Sequence, residues 1–284
     1  MVFKERVVDD IYVFTSEMYV QVTAGAILSP EGTIVIDTLP FPQESRAMRD
    51  FLRGRSPRGV LYVINTHYHA DHVYGNYLYP EADIISWKST RRYLERHGEE
   101  NLRQAQEETP ELADVKLRLP NILFDKGRMF LHLGGRTLEL IHAPGHTADS
   151  IVVYLHENRL LFAGDTMMPV PYIVWGDWKD MVETLGHLAK MRLDNIVQGH
   201  GEVLLRGEIP KTIRTNIAYL RKIYEQVATH VTRGGKREQL KSWRLGSFGL
   251  SRLPLGGLAP QLHQANLLAL YNELSRESRG TTGI

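Results

Sequence analysis

Four side chains able to bind a transition metal, His67, His69, Asp71 and His72, fall within six residues of Thr66-His67-Tyr68-His69-Ala70-Asp71-His72, directly after an apolar run from Val60 to Ile64. Imidazole and carboxylate are the ligands that zinc and iron take, and crowding four of them together without a cation is costly. In a regular strand His67, His69 and Asp71 share one face, while a loop or helix start swings His72 beside Asp71 toward a second centre. Three further donors stand where an expected strand gives way to a loop: His146 past Ile141, Asp165 past Leu160 to Ala163, and His200 past Ile196-Val197. Gly145, Gly164, Gly199 and Gly201 flank them, and glycine lets backbone turn sharply or approach an ion closely. The chain has no cysteine, so thiolate ligands, disulfides and a cysteine nucleophile are excluded, and nitrogen and oxygen donors must hold any metal. Such a set suits hydrolysis by a metal-activated water.

Other candidates read more simply. His142, His187, His230 and His263 stand alone near helices and strands, where an unpaired histidine is ordinarily a surface or structural residue. Tyr68, Tyr74, Tyr172, Trp175 and Trp178 can line a pocket near the donors or fill the core.

The elements that must position these donors alternate. Residues 11 to 37 read as strands rich in β-branched and aromatic residues, broken by Gly25 and by the turn Ser29-Pro30-Glu31-Gly32. Pro42 starts a helix with Phe41, Met48, Phe51 and Leu52 on its buried stripe, and Gly54 and Pro57 end it before the strand at Val60. A second helix is expected from Ser89 to His97, then a polar stretch from Glu99 to Asp114 that reads as an insertion over the site. Strands follow at Thr137 to Ile141, Ile151 to Leu155 and Arg159 to Phe162, the last two joined by a reversal at His156-Glu157-Asn158. Trp178, Met181, Val182, Leu185, Leu188 and Ala189 recur at helical spacing, and helices starting at Pro210 and Pro260 close the chain. The organisation expected is one sandwich-like α/β domain over residues 1–205 with a helical C-terminal extension over 206–284.

At 284 residues the chain can bury an ample core without staples. Its net charge of +1 makes no whole-molecule case for nucleic-acid binding. Residues 203–252 nevertheless carry eleven Lys or Arg against three Glu, either a solvated helix face or a surface for an anion. The N-terminus has no uninterrupted apolar segment, and no later run approaches the ~20 apolar residues of a membrane span, so a cytoplasmic protein without a membrane partner is expected.

The ordered series His-x-His-x-Asp-His, Ala-Pro-Gly-His-Thr, Ala-Gly-Asp-Thr and Gly-His-Gly resembles the metallo-β-lactamase superfamily across residues 20 to 201, and Ile34-Val35-Ile36-Asp37-Thr38 resembles its early strand motif. The resemblance implies a four-layer αββα sandwich. It also implies that His67, His69 and His146 hold one metal, that Asp71, His72 and His200 hold another, and that Asp165 bridges them with a water. Asp37 would orient a ligand imidazole. Two divalent ions are implied, zinc first, with iron or manganese as alternatives.

The activity implied is hydrolysis of a carboxylic ester, thioester, lactone or β-lactam in a small-molecule substrate, which the basic segment would suit if that substrate were anionic. Asp71, or a metal-bound water, would pass the proton to the leaving group. Without cysteine the Cys-ligand lactamase branch is out, and the carboxylate bridge resembles the glyoxalase II, lactonase, phosphodiesterase and nuclease branches. Met168 replaces the tyrosine that the lactonase branch carries three residues past its bridging Asp. Two competing activities stay open: an oxygenase of the persulfide dioxygenase kind with one iron on the same donors, and a phosphodiesterase or nuclease. A non-catalytic binding module is disfavoured by seven intact donors. The chain can form a homo-oligomer, for which the pattern has no marker.

Overall fold

The computed structural model describes residues 2–280. The chain opens as an antiparallel meander of β1 (Val2–Val8), β2 (Ile11–Ser16), β3 (Thr23–Ser29) and β4 (Gly32–Ile36). Pairing then turns parallel, and β5 (Val60–Ile64), β6 (Asp83–Trp87) and β7 (Ile122–Phe124) extend the same sheet in chain order. Parallel neighbours need a crossover. Helix α1 (Pro42–Arg53) supplies the first, the single turn α2 (Ala70–Val73) lies in the second, and α3 (Lys88–Tyr93) with α4 (Glu99–Glu108) makes the third.

The second sheet takes β8 (Arg128–Leu133), β9 (Arg136–His142), β10 (Ile151–Leu155), β11 (Leu160–Phe162), β12 (Asn195–Val197) and β13 (Leu204–Leu205) in the order β13-β12-β11-β10-β9-β8. Helix α5 (Trp178–Leu188) carries the chain from β11 to its parallel neighbour β12. Asp177 caps α5 by accepting hydrogen bonds from the Lys179 and Asp180 amides. Helices α6 (Ile209–Thr232) and α7 (Ala259–Gly280) follow. Among the described residues no helix is long and apolar enough to cross a membrane.

Side chains alternate across a strand, and that period stacks the layers. Ile11, Val13, Ile34, Ile36 and Ile64 of one sheet meet Leu138, Leu140, Ile151, Val153 and Phe162 of the other in an inner core. The opposite faces of the same strands, Phe14, Val35 and Val63, pack on Met48 and Leu52 of α1. Val152, Leu161 and Ile196 turn outward beneath α5, α6 and α7, where Leu185, Ile213, Leu220 and Leu267 join one cluster. Helices thus cover both outer faces, giving the αββα sandwich with a helical C-terminal region.

The turn at residues 29–32, the helix from Pro42 and the reversal before β11 lie where sequence places them. Strands β1, β6, β7, β8 and β13 add to those that sequence places. The polar stretch from Glu99 is not irregular: α4 fills it, continuous with α3 through a π-helical turn at Leu94–Gly98. Three apolar anchors, Leu102, Leu112 and Val115, tie it to Val73, Tyr74 and Leu94. Thr90 also donates to the Asp149 carboxylate at 2.8 Å, docking α3 on the β9–β10 loop.

Between α6 and α7 lies a buried polar group. The ring Nδ1 of His263 is 3.0 Å from the Tyr219 hydroxyl, while its Nε2 has no partner. Burial pushes this imidazole down to about 4, against a rise from the Trp243 backbone. The unfolded chain therefore takes up the proton first. Stability from this residue is complete above the unfolded value near ~6.5 and falls as pH drops toward the folded value. Between pH 7 and pH 4.5 the loss, reduced by solvent screening, should be about 1–2 kcal/mol. Urea melts of wild type and His263→Gln across that range test it: the variant should show the shallower pH slope, and equal slopes would sink the assignment.

Candidate metal centre

The donors gather on one rim of the sandwich. Asp37 follows β4, His67 and His69 follow β5, Asp165 follows β11, and His200 follows β12. These are the carboxyl ends of parallel strand pairs, where sheets of this kind leave a crevice for ligands. His69 is the N-cap residue of α2, which carries Asp71 and His72. His146 lies in the loop joining β9 to β10. That loop turns at Gly145, whose φ of +140° and lack of a side chain let the backbone of Met181 come close: a Cβ would stand 2.4 Å from its Cα. At Gly199 a Cβ would stand 2.0 Å from Asp165 Oδ1 and 2.6 Å from the Gly164 carbonyl carbon, so only glycine lets the β12 and β11 turns nest.

Each imidazole but His69 has its Nδ1 tied down and its Nε2 aimed inward. His72 Nδ1 is 2.8 Å from Asp37, His146 Nδ1 is 2.8 Å from the Tyr172 carbonyl, and His200 Nδ1 is 2.9 Å from the Val20 carbonyl. His67 Nδ1 lies 3.1 Å from the Thr66 hydroxyl. Asp37 also accepts from the Thr66 amide at 2.8 Å and the Thr66 hydroxyl at 2.7 Å, fixing the strand exit that launches His67. The ring nitrogens converge as a result. His69 Nδ1 is 3.0 Å from His67 Nε2 and 2.9 Å from His146 Nε2.

Asp165 stands between two groups of donors. Its Oδ1 is 3.1 Å from His72 Nε2, and its Oδ2 is 3.3 Å from His146 Nε2, 3.6 Å from His200 Nε2 and 3.9 Å from His67 Nε2. Asp71 Oδ2 lies 3.2 Å from His200 Nε2 and 3.6 Å from His72 Nε2. All seven residues named from the sequence are brought together, one group being His67, His69, His146 and Asp165 and the other Asp71, His72 and His200. Within each, the ligand atoms lie within 4.8 Å of one another. His142, His187, His230 and His263 join neither group. His142 stacks on Trp87 at 4.1 Å instead, and His230 bonds the Lys236 carbonyl.

The two groups differ in how they treat a proton. Burial, then the charge of neighbouring imidazoles, holds His67 well below its ordinary value and brings His69 down to about 3. Burial also opposes charge on His72 and His200, yet the facing carboxylates, Asp165 first, outweigh it and raise His72 well above normal and His200 to about 10. Asp165 is held well below the carboxylate range despite burial, chiefly by His200 and His72. Without a cation, His67 and His69 therefore stand uncharged while His72 and His200 hold protons against the carboxylates.

That arrangement fits a cation. His72 Nε2 and Asp165 Oδ1 are buried without a hydrogen-bond partner although they face each other, and an all-nitrogen-and-oxygen set of this size suits a divalent ion. Several positioning groups carry no signal in the sequence, since Val20 and Tyr172 act through backbone carbonyls. Asn266 of α7 is another: its amide donates to the Pro171 carbonyl at 2.7 Å and its Oδ1 accepts from the Ile173 amide at 3.0 Å, clamping the loop that holds Tyr172. A short apolar-flanked Asn on an amphipathic helix gives no hint of that reach.

A cavity of about 340 Å³ opens over the cluster, bordered by Tyr19, Asp71, Tyr172, Trp175 and Leu262 among others. Tyr68 and Tyr74 border the adjoining cavity, whereas Trp178 stacks on Tyr224 at 4.0 Å within the core beneath α6.

The sequence profile of the Metallo-beta-lactamase superfamily matches residues 19–200. The Beta-lactamase-like protein 2 homolog of Caenorhabditis elegans is 29% identical over 146 residues, covering 51% of this chain and 43% of that protein. The Acyl-coenzyme A thioesterase MBLAC2 of Gallus gallus is 23% identical over 215 residues, 67% of this chain and 72% of that one. The chain spans about half the length of several curated relatives it matches. A metallo-beta-lactamase family protein from Thermus thermophilus superposes with a TM-score of 0.71 at 17% identity, covering 96% of this chain and 95% of that one, which establishes likeness of fold. With the matched segment enclosing every converging donor, the chain belongs to the metallo-beta-lactamase superfamily.

Proposed function

We propose that this chain is a hydrolase with two metal ions, zinc expected, acting on a carboxylic ester, thioester, lactone or β-lactam. The observation that carries the reading is Asp165, whose carboxylate reaches both donor groups, Oδ1 to His72 at 3.1 Å and Oδ2 to His146 at 3.3 Å and His200 at 3.6 Å. His67, His69 and His146 would hold one ion and Asp71, His72 and His200 the other, with Asp165 shared. Such ions supply an acidified water and a Lewis acid for the oxygen of the scissile bond. The thioesterase name of the Gallus gallus relative supports a carboxylic rather than a phosphoryl substrate.

The chain's own groups supply the rest. Asp37 and the carbonyls of Val20 and Tyr172 keep Nδ1–H protons on His72, His200 and His146, so that each Nε2 faces inward and would offer its lone pair to a cation. Asp71 borders the open cavity and is 14% exposed, so it can take a proton from the attacking water and return it to the leaving group. Tyr19, on the same cavity, is pushed up to about 12 by Asp71 and by burial, and stays an O–H donor toward substrate at neutral pH.

Purified protein should hold about two metals per chain and split chromogenic esters or thioesters, and chelation should abolish this until metal is restored. Adding zinc to stripped protein near pH 7 should also release protons, because His72 and His200 are charged in the metal-free chain and must be neutral as ligands. Protein that binds no metal, or oxygen consumption with a persulfide in place of hydrolysis, would overturn the reading.

A further inference from the structure

A second cavity of about 330 Å³ adjoins the one over the cluster. The two share His69, Ala70 and Trp175, so they form one cleft with the donors at one end. Its far end is built from aromatic and apolar groups. Tyr68 and Tyr93 stack there at 3.7 Å, Tyr74 and Leu94 close the floor, and Trp175 stands 63% exposed at the junction. The π-helical turn at Leu94–Gly98 brings Leu94 and Gly98 to the wall, and the anchors of α4 on Tyr74 keep that wall in place.

Charge is what this end lacks. None of the described residues bordering it is Lys, Arg, Asp or Glu, and its polar groups are Asn101, His69 and tyrosine hydroxyls. Tyrosine phenols are uncharged at neutral pH. The eleven Lys and Arg of residues 203–252 border neither cavity of the cleft. An anionic group placed at this far end would meet no basic side chain on the lining, whereas a flat neutral group gains stacking and buried area. Cleft volume is in the range that small-molecule sites occupy.

We propose that this aromatic end binds the non-reacting part of the substrate, and that this part is an uncharged aryl group. The proposal deepens the hydrolase reading and rests on it for the reaction alone. It makes substrates whose distant end is anionic poor ones, despite the basic C-terminal segment.

Two readouts test it. In the first, paired esters and thioesters are compared, identical except that the aryl ring, on the acyl side in one set and the leaving side in the other, is neutral or carries a carboxylate. Neutral members of at least one set should have kcat/KM higher by about tenfold or more, and Asn101→Arg, at an exposed position on the wall, should narrow that ratio by a similar factor. In the second, the metal-loaded and stripped proteins are titrated with 2-naphthol and with its carboxylate-bearing analogue 6-hydroxy-2-naphthoate, following tryptophan emission. Saturable quenching by 2-naphthol alone, lost in Trp175→Phe, supports the site whether or not anything is hydrolysed. Quenching without any turnover would thus keep the aryl site and discard the hydrolase reading. Turnover with equal or better use of the charged ring, and no selective quenching, would overturn the aryl site and leave the hydrolase standing.

Discussion

Asp165→Ala is expected to empty both halves of the cluster at once and to lower hydrolysis on the order of 10³-fold, because several kcal/mol of electrostatic stabilisation depend on cations that lose a shared ligand. The geometry makes the double effect specific. Asp165 is the carboxylate within 4 Å of His67, His72, His146 and His200, whereas Asp71 reaches only His72 and His200. Elemental analysis of Asp165→Ala, Asp71→Ala and the remote His230→Ala should read near zero, near one and near two metals per chain. If Asp165→Ala kept one tight metal, or if His230→Ala lost metal equally, Asp165 would not be shared in the way proposed.

The second large effect comes from a residue with no functional group. Gly199→Ala puts a methyl group 2.0 Å from Asp165 Oδ1, against the backbone of Gly164 and the amide of Asp165. The clash cannot be relieved by a side chain swinging away. The Gly199 amide donates to the carbonyls of Gly164 at 2.8 Å and Met167 at 3.1 Å, so the two turns would separate and carry the carboxylate with them. We expect a destabilisation of about 2–3 kcal/mol from overpacking and a fall in metal affinity of roughly 10–100-fold. Urea melts and metal competition measure the two. Gly186→Ala, in α5 with nothing within 4 Å, is the matched control and should stabilise by about 0.5–1 kcal/mol. Normal metal affinity in Gly199→Ala would show that the turns move independently of the cluster.

What sequence reveals of such a protein depends on whether function passes through a side chain. The seven donors are legible because imidazole and carboxylate at strand exits have few other reasons to recur, and they do converge. The carbonyls of Val20 and Tyr172 are not, since any residue offers a carbonyl and only the fold decides which one meets a ring nitrogen. Trp178 shows the converse: an aromatic near the site in sequence packs in the core on Tyr224. Among the elements, β2 to β4 are buried enough for their apolar character to stand out, whereas in β8 the apolar Phe130 sits on the exposed face and breaks the polar–apolar alternation that would mark a half-buried strand. In α4 a single residue, Leu102, is buried, too few for a helical stripe to be recognised.

The loop between β2 and β3 has a bearing on how this protein must be made. Val22 bridges His200, the Thr23 amide bonds the Gly199 carbonyl, and the Gly201 amide returns to Gln21, so residues near the start of the chain seat a donor that emerges almost 180 positions later. On a ribosome the first six donors are joined to the chain before the seventh exists. A nascent chain that captured zinc early would do so through an incomplete set, and the opening hairpin must wait for its distant partner before the last imidazole is aimed. Assembly of the centre is thereby postponed until synthesis has passed the second sheet.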